Sequence, residues 1–329
     1  MNPAPAPRSS PPTPPRVRPS IYWTDLFVSG GLGWSLFGVA ATQPPGSALA
    51  SLATIGAVLG LLRAVTFIHE IAHRAREIPG FEVAWNTFVG IPMGVPSLLY
   101  VDTHPRHHHA RHYATASDPE YAPLGSWGIG RKLAFVAAGG LAPLLLAARW
   151  GVIGPLSLAV PALRRIAVGR LSTLAINPHF VRRAPVGAER RRWLVQETAA
   201  AAFVWGIGLA TAAGVLPTAV TLRWIAVVGG VFLINQLRTV MAHRYALEGR
   251  AVDERTQLLD SVTLPEHSLL AAVIAPLGLR FHALHHWAPG IPYHDLGRIH
   301  RRLRAEEHAA YARTLAPDLG TALRMSGRA

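Results

Sequence analysis

Apolar runs of membrane-spanning length alternate along the chain with short, arginine-rich polar connections. The run at residues 48–68 would span about 31 Å as a helix, close to the roughly 30 Å hydrocarbon thickness of a bilayer. A turn at residues 43–47, with the sequence QPPGS, separates it from a shorter, glycine-rich run at residues 26–42. The pattern therefore predicts a helical hairpin at the start of the chain.

Later apolar runs predict two more hairpins. The second pairs residues 133–148 with residues 152–162, with the intervening residues as the turn, and the third pairs residues 194–216 with residues 219–242. Residues 88–100 are also apolar, but two glycines and two prolines interrupt them, which favours a kinked or re-entrant segment. The predicted fold is an all-α integral membrane protein built of helical hairpins. It has about four to six spans plus interfacial or re-entrant helices.

The two ends of the chain are polar and predict a three-part organisation. Residues 1–20 contain eight prolines and three arginines, which is typical of a disordered tail. We expect the membrane domain to occupy residues 21–305 and a polar C-terminal tail to follow at residues 306–329. No apolar core follows the prolines closely enough for a cleavable signal peptide.

Composition and charge support a membrane location. Half of the 329 residues are hydrophobic and only 15% are charged, whereas charged residues make up about a quarter of ordinary soluble proteins. The net charge of +14 is also compatible with nucleic-acid binding, but the arginines interrupt apolar runs and form no separate basic domain. We therefore expect no nucleic-acid partner. Arginine placement predicts a multi-pass protein of a bacterial inner membrane, with both termini cytoplasmic.

Histidine and cysteine usage is unusual, with 16 histidines and no cysteine. The missing cysteine excludes disulfides, cysteine-ligated iron–sulfur clusters and cysteine-type zinc sites. Imidazole is the commonest protein ligand for transition metals. Four separate segments bring histidines to the predicted cytoplasmic side: His69 and His73, His104–His112, His243, and His282–His294.

The spacing of these histidines predicts metal ligands. His69 and His73 lie four residues apart on one helix face, and with Glu70 they also match the signature of zinc proteases. An intramembrane metalloprotease is therefore one alternative, although it has no use for the other clusters. Two His-x-x-His-His boxes supply further imidazoles, each expected on one helix face: His104, His107 and His108, and His282, His285 and His286.

Eight such nitrogens suit two borderline metal ions such as iron, whereas one zinc ion takes about four ligands. Iron also provides oxygen chemistry, of which redox-inert zinc is incapable. The residues alone predict a membrane di-iron enzyme that activates dioxygen and draws its substrate from the lipid. The histidine cluster would lie in a cytoplasmic cap above the spans.

The three boxes resemble those of the membrane fatty-acid desaturase superfamily. Further stretches resemble its bacterial members and extend the resemblance over residues 21–305: Trp85-Asn86, Asp118-Pro119-Glu120, Arg238–Tyr245, Gln257–Ser261 and Phe281–His294. The resemblance implies a non-haem di-iron centre that uses O2 and two electrons to introduce a cis double bond into an acyl chain. A lipid hydroxylase on the same scaffold is the alternative, and the boxes do not separate the two.

The resemblance also implies roles for individual residues. The implied iron ligands are the eight box histidines and His243: His69, His73, His104, His107, His108, His243, His282, His285 and His286. Residues that could orient these imidazoles are Glu70, Asp118, Asp260, His294 and Asp295. The additional His109 and His112 are expected to face solvent or to support the ligands.

Substrate and electron supply follow from the same resemblance. The substrate would be a membrane acyl lipid or an acyl chain on a carrier. The three residues between His69 and His73 are more usual in acyl-lipid and sphingolipid desaturases and hydroxylases than in acyl-CoA enzymes. Because the chain has no cysteine and no spare domain, the electrons must come from a separate protein of the ferredoxin or cytochrome type, with its reductase.

Overall fold

The structure, a computed structural model, describes residues 11–327 apart from residues 248 and 250. Within this range the regular structure is helical, with two isolated β-bridges, His243–Ser261 and Thr263–Leu315. The α-helices are α1 Pro19–Thr42, α2 Ala48–Arg74, α3 Phe81–Trp85, α4 His104–His108, α5 Ile129–Ala138, α6 Ala142–Ala148, α7 Gly154–Ala159, α8 Pro161–Arg170, α9 Gly187–Ala212, α10 Thr218–Ala242, α11 Glu254–Asp260, α12 Leu269–Ile274, α13 His282–Trp287, α14 Tyr293–Ala305, α15 Ala309–Ala312 and α16 Leu319–Met325.

Four helices are long and apolar enough to cross a membrane: Ala48–Arg74, Ile129–Ala159, Gly187–Ala212 and Thr218–Ala242. The all-α membrane fold is therefore confirmed, at the lower end of the predicted number of spans. Helix α1 has 24 residues but is not among the four, because its glycines, serines and Asp25 lower its mean hydropathy. It packs along α2, as the first predicted hairpin requires.

Small residues let α1 and α2 pack closely. Gly33 and Gly60 face each other so tightly that a Cβ added at Gly60 would lie 2.9 Å from the Gly33 Cα and 3.1 Å from the Ser29 carbonyl oxygen. Between helices in an apolar medium, such close backbone approach supplies van der Waals contact that larger side chains would prevent. This contact fixes α2, whose last turns carry His69 and His73.

The second predicted hairpin turns at a different place. Helix continues from α5 through α7, with a π-helical turn at Arg149–Ile153, and the chain reverses at Val160, where α8 packs back on α7. The predicted turn at residues 149–151 is therefore wrong. Arg149 needs no solvent because it is buried beside Glu197 of α9, with 2.7 Å between Nη2 and Oε1. Arg164 binds the second oxygen of the same carboxylate at 2.8 Å.

The interrupted apolar segment at residues 88–100 is irregular, as predicted. A π-helical turn at Asn86–Gly90 leads into turns that expose backbone carbonyls inside the fold. Three indole N–H groups bind these carbonyls, each at 2.8 Å: Trp34 to Phe88, Trp224 to Pro92 and Trp150 to Gly94. Irregular backbone among apolar helices is stable only when its polar groups find such partners.

Both ends of the chain contact the helical body within the described residues. Arg18 Nη2 lies 2.9 Å from His294 Nδ1, and Tyr311 and Ala322 of the last two helices are buried. Residues 1–10, which form half of the predicted disordered tail, lie outside the described residues. The predicted boundaries at residues 20 and 305 stay predictions.

The glycine contact between α1 and α2 gives a testable prediction. Replacing Gly60 with alanine forces the two backbones apart, and we expect it to destabilise the fold by about 1–3 kcal/mol. Thermal unfolding in detergent micelles measures the effect as a lower melting temperature. Gly31→Ala, on the same hairpin, is the matched control because a Cβ there meets nothing within 4 Å. Equal melting temperatures for the two variants would contradict this packing.

Candidate metal centre

The nine predicted ligands converge into two groups of buried or half-buried imidazoles. In each group, one ring nitrogen from every histidine lies within 4.8 Å of the others. The first group has five members: His69, His73, His104, His108 and His285. The second group has four members: His107, His243, His282 and His286.

Each His-x-x-His-His box contributes to both groups. On α4, His104 and His108 point into the first group, whereas His107 points into the second. On α13 the assignment is reversed, with His282 and His286 in the second group and His285 in the first. Residues four apart lie on nearly the same face of a helix, and adjacent residues lie about 100° apart. The three histidines of a box therefore share one broad face, as expected, but that face serves both groups.

The distances between nitrogens fit metal coordination. In the first group, Nε2 of His104 lies 3.0 Å from Nε2 of both His73 and His108. In the second, Nε2 of His243 lies 3.1 Å from Nε2 of His107 and 2.9 Å from Nε2 of His282. Two nitrogens bound at right angles to one ion, each at about 2.1 Å, lie about 3 Å apart.

Buried nitrogens without partners support the same conclusion. Among the described residues, Nε2 of His69 and Nε2 of His286 are buried and have no hydrogen-bond partner. Buried polar atoms nearly always have a partner, so each such atom in these two groups requires an explanation. A metal ion in each group would supply the missing partner.

Two carboxylates hold the outer nitrogens of α4 histidines. His104 Nδ1 lies 2.6 Å from Glu120 Oε1, and His107 Nδ1 lies 2.9 Å from Asp118 Oδ2. An N–H on Nδ1 donates to the carboxylate, which leaves a lone pair on Nε2 for a metal ion. Burial opposes the charged form of His107, but Asp118 outweighs it and raises the pKa of His107. Burial raises the pKa of Glu120 to about 7.

A tyrosine connects His243 to a buried aspartate. Tyr113 Oη lies 2.7 Å from His243 Nδ1 and donates to Asp260 Oδ2 at 2.7 Å. Because the hydroxyl proton goes to Asp260, the hydroxyl oxygen accepts from His243 Nδ1–H. Tyr121 also donates to Asp260, at 3.1 Å. Asp260 thus supports His243 through Tyr113, since its direct distance to His243 Nδ1 is 3.9 Å.

Three of the five residues predicted to orient ligands form no hydrogen bond to a ligand histidine within the described residues. Glu70 accepts from Tyr22 Oη at 2.5 Å, and its Oε1 lies 3.8 Å from His69 Nδ1, beyond hydrogen-bond distance. His294 and Asp295 contact each other and Arg18 at the start of α14. Carboxylates and imidazoles are the side chains that commonly orient metal-binding histidines, which is why these three residues were predicted. Residue type alone does not show which way a side chain faces.

Sequence reasoning assigned no role to Glu120 or Tyr113. Glu120 belongs to the Asp118-Pro119-Glu120 stretch, so its position two residues after Asp118 was an available signal. Tyr113 follows the second box without any motif of its own, and only the fold brings it to His243. His109 is exposed and lies outside both groups.

A cavity of about 490 Å³ connects the membrane helices with the two groups. Apolar residues of α2, α6 and α10 form much of its wall, among them Leu62, Leu146 and Val231. His69 and His282 line its other end. The volume lies within the range of small-molecule sites, and the apolar wall suits an acyl chain.

The all-helical fold, the apolar cavity and the paired imidazole groups define a membrane enzyme of the histidine-box class, with sites suited to metal ions. The sequence model described as "Fatty acid desaturase" matches residues 46–316, and the chain belongs to this family. It is therefore an oxygen-dependent oxidoreductase, and a lipid substrate is consistent with the family. This family assignment overturns the intramembrane protease alternative. Glu70, whose carboxylate accepts a hydrogen bond from Tyr22, does not support that alternative either.

A curated relative narrows the comparison. The chain is 40% identical over 285 residues to a protein of Caulobacter vibrioides named "Ceramide hydroxylase", which covers 86% of this chain and 81% of the relative. No solved structure matches the chain. The family assignment is common to desaturation and hydroxylation, and the relative's name supports the hydroxylase alternative at least as well as the desaturase prediction.

Removing one ligand from the second group tests the two-ion arrangement. We expect His286→Ala to weaken metal binding by more than about 10-fold and to lower the metal content from two ions per chain towards one. Elemental analysis of the purified protein measures the content. His109→Ala is the control, because that histidine is exposed and lies outside both groups. Full metal content in His286→Ala would contradict the assignment.

The link from His243 to Asp260 gives a second test. Tyr113→Phe removes the acceptor of His243 Nδ1–H, and we expect metal affinity in the second group to fall about 10-fold. Competition with a chelator measures the affinity. Tyr121→Phe removes one donor to Asp260 but leaves the His243 contact intact, so we expect a smaller effect. Equal losses in the two variants would indicate that Asp260 matters only as a buried carboxylate.

Proposed function

We propose that the protein is a lipid hydroxylase that inserts oxygen into an acyl chain of a ceramide-type lipid. The observation that carries this proposal is the 40% identity, over 86% of the chain, to the ceramide hydroxylase of Caulobacter vibrioides. The apolar cavity that leads from the membrane helices to the imidazole groups supports a long-chain substrate. Desaturation, which the sequence predicted first, is the competing outcome.

The metal ions in this proposal are two irons, one for each imidazole group. The groups offer five and four nitrogens, and borderline divalent ions bind imidazole well. Iron in both groups would supply the activation of dioxygen. In the overall reaction a C–H bond becomes C–OH, one oxygen atom leaves as water, and two electrons and two protons are consumed.

The chain's own residues hold the ligands and place the substrate. Glu120, Asp118 and Tyr113 keep Nδ1 protonated on their histidines, so that Nε2 faces inward. The apolar wall of the cavity excludes water and holds one methylene group beside the imidazole groups. Position matters because acyl methylenes are chemically alike, so geometry must select among them.

Electrons come from a separate donor protein in this proposal. A second cavity, of about 370 Å³, is lined by other histidines of both groups, His73, His108 and His286, together with Trp287. A donor bound over this cavity would approach both groups without entering the lipid-facing cavity. Arginine placement along the chain supports a cytoplasmic location for this face and for both termini.

Product analysis tests the reaction. The purified, iron-loaded protein is supplied with a ceramide, 18O2 and a reduced ferredoxin, and the lipid is examined by mass spectrometry. We expect the product to gain one labelled oxygen atom. Loss of two hydrogen atoms without oxygen would establish desaturation and overturn the hydroxylase proposal. His285→Ala, which removes a nitrogen from the five-histidine group, is expected to form neither product.

A further inference from the structure

Helix α10 contributes the longest run of polar side chains to the wall of this cavity. Along α10, Asn235, Gln236, Arg238 and Thr239 all line it, within the two turns that precede His243. Deeper in the membrane part of the same helix, Val231 and Phe232 line it instead. Polar side chains that face a lipid-binding cavity are costly unless a partner satisfies them, so this band indicates a polar group on the ligand.

The α2 wall of the cavity is mostly apolar up to the imidazole groups, and the hydroxyl of Thr66 donates to the Leu62 carbonyl at 2.7 Å. Leu62, Val65 and Ile68 line the cavity there, and His69 follows directly. A simple hydrocarbon segment beside the imidazoles would suit this wall. Within the α10 band, Thr239 Oγ1 already donates to the Asn235 carbonyl and Asn235 Oδ1 accepts from Arg238, so the hydrocarbon would leave only the remaining donors of Arg238 and the Gln236 amide facing apolar groups. A ligand with a chain on one side and a polar group on the other satisfies both.

Arg238 is the charged group of this band. Its Nε and Nη2 donate to Asn235 Oδ1 at 3.2 and 3.1 Å, one turn earlier on the same helix. The nearest carboxylate on the cavity wall is that of Glu120, which Arg238 influences through its charge, although the ion pairs of the described residues do not include Arg238. The Arg238 guanidinium at the cavity wall therefore retains N–H donors beyond those that bind Asn235. Hydrogen bonds from a charged donor are stronger than those between neutral groups.

We propose that the Arg238 band binds the amide group of an N-acyl lipid and thereby directs oxidation to carbons near that amide. The inference rests on the proposed function and specifies where on the substrate it acts. Thr239 lies one helical turn, about 6 Å, before His243. Only a few carbon–carbon bonds of about 1.5 Å each fit into that distance. A carbon in the middle of a long acyl chain would instead place hydrocarbon against the polar band.

Binding and product position together test this inference. Binding of a ceramide to the metal-loaded protein is measured without reductant, so that no turnover is needed. We expect Arg238→Leu to bind it about 10-fold more weakly than the wild type, which corresponds to the loss of one charged hydrogen bond. Arg238→Lys should recover part of the affinity. Fragmentation of the product should place the new oxygen within the first few carbons from the amide.

Controls separate a binding role from a structural one. Metal content and melting temperature should be the same in Arg238→Leu and the wild type, and Arg191→Leu, an exposed arginine on α9, should bind ceramide normally. Unchanged ceramide binding in Arg238→Leu, or oxygen placed in mid-chain, overturns the inference even if hydroxylation is observed. Ceramide that binds through Arg238 but gains no oxygen overturns the proposed function and leaves the binding site standing.

Discussion

The rest of the structure depends on holding nine imidazoles with their ring nitrogens directed at one another. In both groups, neighbouring Nε2 atoms lie 2.9–3.2 Å apart, a distance at which bare lone pairs repel. A cation between them turns this repulsion into coordination, provided that each ring presents the correct nitrogen. Glu120, Asp118 and Tyr113 fix that choice for three of the rings. Buried acceptors of Nδ1–H are therefore as much part of the centre as the histidines.

Helical geometry explains how so few segments serve two ions. In α4 and in α13 alike, the pair four residues apart serves one group and the remaining histidine serves the other. Each short helix therefore ties the two groups together and fixes the distance between them. Such helices have five and six residues and cannot be stable alone, so packing must hold them. The tryptophan N–H groups that bind the carbonyls of residues 88–94 stabilise the irregular segment that leads into α4.

Hydrophobic periodicity predicted individual helices, whereas contacts between distant parts of the chain determined where the chain turns and which side chains support the ligands. The apolar runs correctly predicted α2, α9 and α10. Histidine spacing predicted the eight box ligands and the family resemblance added His243, and the fold brings these nine side chains together. The chain reverses at Val160 instead of at Arg149 because Glu197, far away in sequence, neutralises that arginine inside the fold. Tyr113 could not be predicted either, since its role depends on His243, which lies 130 residues later. The surroundings of Glu70 could not be predicted either, since its Oε2 accepts from Tyr22 while its Oε1 lies 3.8 Å from His69 Nδ1.

The choice between hydroxylation and desaturation cannot lie in the ligands, since one set of boxes serves both reactions in this family. It must depend on which substrate carbon is held beside the imidazoles, and on how long a hydrogen of the neighbouring carbon stays within reach of the metal centre. In this chain the apolar wall of α2 and the polar band of α10 approach the imidazoles from two sides. Under the proposed function, an amide fixed by Arg238 holds one carbon close and turns the chain beyond it towards Leu62 and Val65. A single accessible C–H bond then favours oxygen insertion, because the neighbouring methylene is directed away.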